Sequence, residues 1–198
     1  TSSAVYALNC CGYNSEANIY GNIIGSVFFA SRTNKMSLYA NVTGTTIDYG
    51  DSMYLGSRNV YGNITAAMIM AFAGELVHYG YFSGSLTQTN GNAKFLNFRI
   101  NTGTLSAGKT VFDSQMGLID NVTISGGHVI NKNNLDLMFF INFRVNSGTL
   151  ENLGIMDFSK TNDSPRALTQ TGGTIINRGF MFSTLNNATI PMINKSGG

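Results

Sequence analysis

The chain has no tryptophan, only 2 prolines and 2 cysteines, and few charged residues, with 12 Lys and Arg against 10 Asp and Glu among 198 residues. A sparse and nearly balanced charge excludes the basic surface with which nucleic-acid-binding proteins neutralise phosphates. Disorder is excluded as well, because 43% of the residues are hydrophobic and can bury a core. No apolar run reaches the 18 residues that a membrane-spanning helix needs.

The two cysteines, Cys10 and Cys11, are adjacent. Metal sites use spaced clusters, and an ordinary internal disulfide joins residues that are distant in sequence, so neither reading fits the pair. We expect one side chain to point inward and the other outward, with a disulfide to another chain as the alternative. The chain begins at Thr1 without a charged and apolar leader, which is typical of a processed mature chain or a fragment.

What the chain does have is an internal repeat. The phrase NFRINTGTL, which starts at Asn97, returns as NFRVNSGTL at Asn142, 45 residues later, and a looser copy from Leu118 halves that interval. The shared anchor is a short apolar strand followed by Ser/Thr-Gly-Ser/Thr, and it recurs every 19 to 25 residues with one double interval. The anchor glycines are Gly25, Gly44, Gly84, Gly103, Gly126, Gly148 and Gly173.

This period, with alternating apolar and polar residues inside each repeat, is typical of a stacked-strand solenoid. We therefore predict an all-β fold: a single-stranded β-solenoid, or parallel β-helix, of about eight coils of roughly 20 residues. One domain would cover 1–198, with an N-terminal coil or cap at 1–20 and repeats over 21–195. Residues 66–77 have a composition that also allows a short helix. Residues 190–198 show no evident amphipathic cap, which favours a longer parent chain or end-to-end stacking.

Outward hydroxyl side chains are predicted to form two columns along the solenoid. Such a lattice could bind a sugar surface or ice, although threonine also simply favours exposed strands. The predicted binding surface comprises Thr43, Thr45, Ser83, Ser85, Thr102, Thr104, Ser147, Thr149 and Thr174. Asn41, Asn63 and Asn121 each begin an Asn-X-Thr triplet, which is a glycosylation sequon in secreted eukaryotic proteins. We interpret these asparagines instead as a hydrogen-bonded ladder at one position of the coil.

Catalytic patterns are weak. The best constellation is Asp113, Asp136 and Asp157, whose spacing could stack three carboxylates as polysaccharide-cleaving β-helices require. The two histidines, His78 and His128, are isolated, so no metal site is predicted. Residues 103–110 match a phosphate-binding loop formally, but the repeat anchor already accounts for their glycine. We predict no cofactor and no enzymatic activity.

Two phrases, SGTLENLG (147–154) and TGGTIINRG (171–179), resemble the degenerate repeats of β-helical bacterial surface proteins, namely autotransporter passengers and filamentous-haemagglutinin-like adhesins. The resemblance implies a secreted or cell-surface rod that acts in adhesion or in self-association into fibres. The expected partners are other copies of the chain, end to end or side by side, or a surface glycan. Binding or cleavage of a polysaccharide, and less favourably ice binding, are the alternatives.

Overall fold

In the computed structural model, parallel β-strands stack along the chain. The structure describes residues 6–10, 16–29, 35–49, 56–136, 142–158, 168–182 and 193–195. The strands are β1 (Tyr6–Cys10), β2 (Glu16–Ile19), β3 (Asn22–Ile24), β4 (Ser26–Phe29), β5 (Lys35–Leu38), β6 (Asn41–Asp48), β7 (Ser57–Val60), β8 (Ile64–Met70), β9 (Glu75–His78), β10 (Phe82–Gln88), β11 (Asn92–Phe95), β12 (Phe98–Leu105), β13 (Lys109–Phe112), β14 (Gly117–Asn131), β15 (Asn134–Asp136), β16 (Asn142–Asn152), β17 (Ile155–Asp157), β18 (Leu168–Gln170), β19 (Thr174–Asn177), β20 (Phe180–Phe182) and β21 (Ile193–Lys195).

Each coil contributes strand segments to three faces. Face A begins with β1 and β4 and continues through β6, β8, β10, β12, β14 and β16 to β18 and β21. Face B runs through β2, β5, β7, β9, β11, β13, the ends of β14 and β16, and β19. Face C runs from β3 through the starts of β6, β8, β10, β12 and β14 to β15, β17 and β20. The predicted β-solenoid is confirmed, and its coil count differs slightly from the expected eight.

The core forms because alternate residues of every strand point inward. In β8 the buried side chains are Ile64, Ala66, Met68 and Met70, while the residues between them face outward. The suggested short helix over 66–77 is therefore wrong: these residues form β8 and β9. Burial of alternate side chains between equivalent coils outweighs the helical preference of alanine and methionine. Among the described residues, none belongs to a helix that could cross a membrane.

The 45-residue sequence repeat is not the structural repeat. Thr102 pairs with Asn121 on the next coil, and Asn121 pairs with Asn142 on the coil after that. The phrase at Asn97 therefore starts on face C, whereas its copy at Asn142 starts on face A. The two copies can occupy different faces because every face demands the same alternation of inward apolar and outward polar side chains.

Polar side chains also lie inside the solenoid. Asn131 Nδ2 donates to Asn152 Oδ1, and Asn152 Nδ2 donates to Asn177 Oδ1, at 2.8 Å each, which builds an internal asparagine ladder. Arg58 is 1% exposed and lies 5.0 Å from the centroid of the Phe72 ring. Burial lowers the pKa of Arg58, and it lowers the pKa of fully buried His78 to about 4.

Candidate functional site

A polar groove on face A contains three of the predicted site residues, Ser85, Thr102 and Thr104. It has a volume of about 340 Å³ and spans successive coils of β10, β12 and β14, with Arg144 of β16 beside them. Its polar lining comprises Ser85, Thr87, Thr102, Thr104, Asn121, Thr123 and Arg144. These side chains point outward because their strand neighbours Leu86, Leu105, Val122 and Ile124 are buried in the core.

The pairing register arranges the lining in two columns. Ser85 pairs with Thr102 and Thr102 with Asn121, which forms one column. The second column holds a threonine on three successive coils, since Thr87 pairs with Thr104 and Thr104 with Thr123. Neighbouring members of a column are separated by the ~4.8 Å spacing of paired strands, and the columns by the ~6.6 Å rise of two strand residues. The groove therefore presents a two-dimensional array of hydrogen-bonding groups.

Arg144 adds a cation to one end of this array. It pairs with Thr123 and so occupies the next position of the threonine column, with its side chain exposed. Hydroxyl groups can donate and accept hydrogen bonds, whereas a guanidinium only donates and favours carboxylate, sulfate or phosphate groups. No carboxylate lines the groove. The arrangement suits a hydroxyl-rich ligand that carries an acidic group.

The predicted hydroxyl residues do not form the two continuous columns that the sequence suggested. Thr43 and Ser83 share a face C column with Thr65, and Thr45 lies near the start of face A. Thr149 and Thr174 pair on face B, and Ser147 pairs with Ser125. Only Ser85, Thr102 and Thr104 meet in the groove.

The reason is that the anchor glycines lie at different corners of the coil. Gly44 packs over Gly25 between faces C and A, whereas Gly173 packs over Gly148 between faces A and B, where both have a φ near +70°. Gly103 lies within a strand of face A. An alignment of the repeats on their anchor glycines therefore matches residues that lie at different positions of the coil.

The candidate carboxylates are only partly brought together. Asp136 and Asp157 pair on neighbouring coils of face C. Asp113 lies instead at the corner between faces B and C, and its Oδ2 is 2.7 Å from Lys94 Nζ. Asp113 does not stack with Asp136, because the residue equivalent to Asp113 on the next coil is Lys132. Asp136 pairs instead with Leu118. Among the described residues, no cluster of three His, Cys, Asp or Glu side chains suits a metal ion.

The asparagine ladder forms at two of its three predicted positions. Asn41 Nδ2 donates to Asn22 Oδ1 at 3.2 Å, and Asn41 Oδ1 accepts from the backbone N–H of Asn63 at 2.9 Å. Asn121 lies instead in the groove on face A. Cys11 and the side chain of Cys10 lie outside the described residues.

Sequence reasoning missed a column of four tyrosines at the B–C corner. The rings of Tyr20, Tyr39, Tyr61 and Tyr79 stack with centroids 4.8 Å apart and planes within 7° of parallel. The side chains remain 42% to 69% exposed. The signal was a recurring Tyr-Gly/Ala-Asn-Ile/Val phrase, which begins at Tyr20, Tyr39 and Tyr61 and continues as Tyr79-Gly80-Tyr81-Phe82.

No family model, curated protein or solved structure matches the chain.

Proposed function

We propose that this chain is a non-enzymatic, extracellular adhesive β-solenoid that attaches to a surface glycan through the groove on face A. The observation that carries the proposal is the array of hydroxyl and amide groups on three successive coils, with Arg144 at its end. Sugars are polyols, so a regular array of donors and acceptors matches their chemistry, and the cation favours acidic sugars. The resemblance of the repeat phrases to β-helical surface adhesins supports the same function.

Binding is favoured over cleavage because the groove lining lacks carboxylates and Asp113 lies apart from Asp136 and Asp157. Glycoside hydrolysis canonically needs two carboxyl groups flanking one bond. Ice binding is less favoured, since the threonine column covers three coils before it meets Ile69 on one side and Arg144 on the other.

The test is titration of the full chain with acidic and neutral oligosaccharides by isothermal calorimetry. Thr104→Val removes one hydroxyl and keeps the shape and strand preference of the side chain. We expect it to weaken binding by about 1 kcal/mol, or about fivefold, the usual net value of one hydrogen bond. Thr104→Ser should retain binding, and Arg144→Gln should weaken binding of acidic sugars more than that of neutral ones.

Thr43→Val is the matched control, because Thr43 is an exposed threonine on face C outside the groove. Its affinity should equal that of the wild type. An equal reduction of binding by Thr104→Val and Thr43→Val would refute the proposal. Turnover of the oligosaccharide by the wild type that is abolished in Asp136→Asn would also refute it.

A further inference from the structure

Among the described residues, the exposed large hydrophobic side chains are concentrated on one edge. Nine large hydrophobic side chains are exposed in the described ranges. Eight lie at the B–C corner, in the turn before β14 or at the start of a face C strand: Tyr20, Tyr39, Tyr61, Tyr79, Met116, Leu153, Ile155 and Phe180. Only Ile24 lies elsewhere, at the far end of its face C strand. The four tyrosines are contiguous, whereas charged residues interrupt the corner further along the chain. An exposed cluster of large apolar side chains is typical of an interaction site.

The fold itself does not require tyrosine at this corner. The backbone N–H of each corner residue donates a hydrogen bond to the carbonyl oxygen of the last face B residue on the preceding coil, and this bond defines the corner position. Tyr61 makes this bond to Leu38 at 2.8 Å, and Leu96 makes it to His78 at 3.1 Å. Along the chain the corner residues are Tyr20, Tyr39, Tyr61, Tyr79, Leu96, Asp113, Lys132, Leu153 and Arg178. Residues with aromatic, aliphatic and charged side chains therefore all make the same backbone hydrogen bond at this corner.

The stacking limits what the tyrosines can bind. Both faces of the Tyr39 and Tyr61 rings are covered by neighbouring rings. A sugar or a nucleobase that stacks flat on an aromatic face finds no such face on the inner rings, so a partner meets ring edges and hydroxyl groups. In the part of the chain that is described, the four hydroxyls make no hydrogen bond to another residue. A partner that engages all four must repeat at the same ~4.8 Å spacing, as a second β-solenoid does.

We propose that two copies of this chain pair side by side along the B–C corner, antiparallel, about a two-fold axis at Leu96. Leu96 is the middle corner residue, so the axis brings Leu96 against its own copy. Tyr79 then faces Asp113 of the second copy, and Tyr61 faces Lys132. Further out, Tyr39 faces Leu153 and Tyr20 faces Arg178. The contact is isologous, so each of these pairs occurs twice.

The chemistry of the pairs is complementary. A phenol hydroxyl can donate to the carboxylate of Asp113. The ammonium group of Lys132 and the guanidinium group of Arg178 can donate hydrogen bonds to the phenol oxygens of Tyr61 and Tyr20. Tyrosine brings a large amphipathic contact at low cost in conformational entropy, which is why it is frequent in recognition surfaces.

Charge selects the antiparallel orientation. A parallel, in-register pair would place Asp113, Lys132 and Arg178 each against its own copy, and like charges in contact repel. Antiparallel pairing avoids all three like-charge contacts. Within the chain, Asp113 is paired with Lys94 at 2.7 Å and Arg178 with Glu151 at 3.6 Å, and the corner leaves both charged groups at the surface.

The contact area indicates a reversible dimer. Tyrosine side chains of ~200 Å² that are about half exposed contribute about 400 Å² together. A standard stable interface buries about 800 Å² on each partner. The remaining corner residues supply part of the difference, so we expect association in the micromolar range. This inference goes beyond glycan attachment and does not depend on it, since the groove on face A and the B–C corner are separate surfaces.

The first test is sedimentation equilibrium of the full chain across a concentration series. We expect a monomer–dimer equilibrium in which Leu96→Asp raises the dissociation constant at least tenfold, because it sets two carboxylates against each other on the axis. Tyr39→Ser should weaken the dimer severalfold. Ile24→Ser is the matched control, since it removes an exposed apolar side chain from another edge, and its dissociation constant should stay within twofold of wild type. Circular dichroism of each variant confirms the strands.

Orientation is tested by disulfide trapping in a background in which Cys10 and Cys11 are serine. An equimolar mixture of Tyr39→Cys and Leu153→Cys chains should oxidise mainly to mixed dimers, identified by mass spectrometry. Predominant 39–39 and 153–153 homodimers would establish a parallel pair and overturn the proposal.

Three further outcomes would also overturn it. These are a wild-type chain that stays monomeric to millimolar concentration, a folded Leu96→Asp variant that dimerises like wild type, and a monomeric chain in which Tyr39→Ser abolishes oligosaccharide binding. The last result would make the tyrosine column a glycan track. Loss of glycan binding in Thr104→Val with unchanged dimerisation would leave the pairing proposal intact.

Discussion

A buried histidine should make this solenoid sensitive to acid. His78 is fully buried, and its ring centroid lies 5.9 Å from those of both Phe82 and Phe95. Its Nδ1 is 2.9 Å from the carbonyl oxygen of Gly80. Since a carbonyl only accepts, Nδ1 carries the proton of the neutral ring. Nε2 is buried without a hydrogen-bond partner, so protonation would place an unsatisfied charged N–H in the core.

The size of the effect follows from the pKa. Burial lowers the pKa of His78 from 6.5 to about 4, and a tenfold change in proton affinity is worth about 1.4 kcal/mol. The unfolded chain therefore binds the proton more tightly than the folded chain does. This contribution to stability is complete above pH 6.5, is lost as the pH falls towards 4, and amounts to about 3 kcal/mol in full.

The assay is urea unfolding, followed by circular dichroism, of the wild type and His78→Leu at pH 7.5 and 4.5. At pH 7.5 the free energy of unfolding of His78→Leu should be about 1 kcal/mol lower than that of the wild type, because leucine cannot make the hydrogen bond to Gly80. Between the two pH values, the wild type should lose about 2 to 3 kcal/mol more than the variant, or about 1 M in urea midpoint. Carboxylates titrate in both proteins, so the difference isolates His78. Equal losses in the two proteins would refute the reasoning.

Two stability predictions test the packing of the coils. Gly62→Ala should cost about 3 kcal/mol, because an added Cβ would lie 1.9 Å from the carbonyl oxygen of Ala40. Gly21 occupies the equivalent position, and an added Cβ there would have nothing within 4 Å. Gly21→Ala should therefore lower the free energy of unfolding by only the ~1 kcal/mol that its positive φ costs an alanine. Equal destabilisation of the two variants in thermal unfolding would contradict this account. Asn152→Ala breaks the internal ladder by removing its hydrogen bonds to Asn131, Asn177 and the Phe180 carbonyl. It should lower the melting temperature by about 6 to 12 °C, whereas Asn177→Ala at the exposed end of the ladder should lower it much less.

The sequence predicts the class of fold well and its register poorly, for one physical reason. Period-two alternation decides that strands form and which residues point inward. It carries no information on which face a strand joins, because all three faces impose the same alternation. The copies at Asn97 and Asn142 illustrate this, since identical patterns occupy faces C and A. Only three groove residues, Ser85, Thr102 and Thr104, lie in sequence anchors, so the sequence predicts part of the groove lining and not its extent.

The tyrosine column was missed for a different reason. The sequence repeat is defined by glycine anchors, which mark positions where the backbone leaves no room for a side chain. Residues of a recognition surface occupy the opposite kind of position, where the backbone hydrogen bonds are made within the chain and the side chain points to the solvent. The B–C corner is such a position, since Leu96 and Asp113 make the same backbone hydrogen bond as Tyr61. Stacking of the four tyrosine rings stabilises the coils against one another. It leaves the side chains 42% to 69% exposed, and the proposed contact with a second copy would cover this surface.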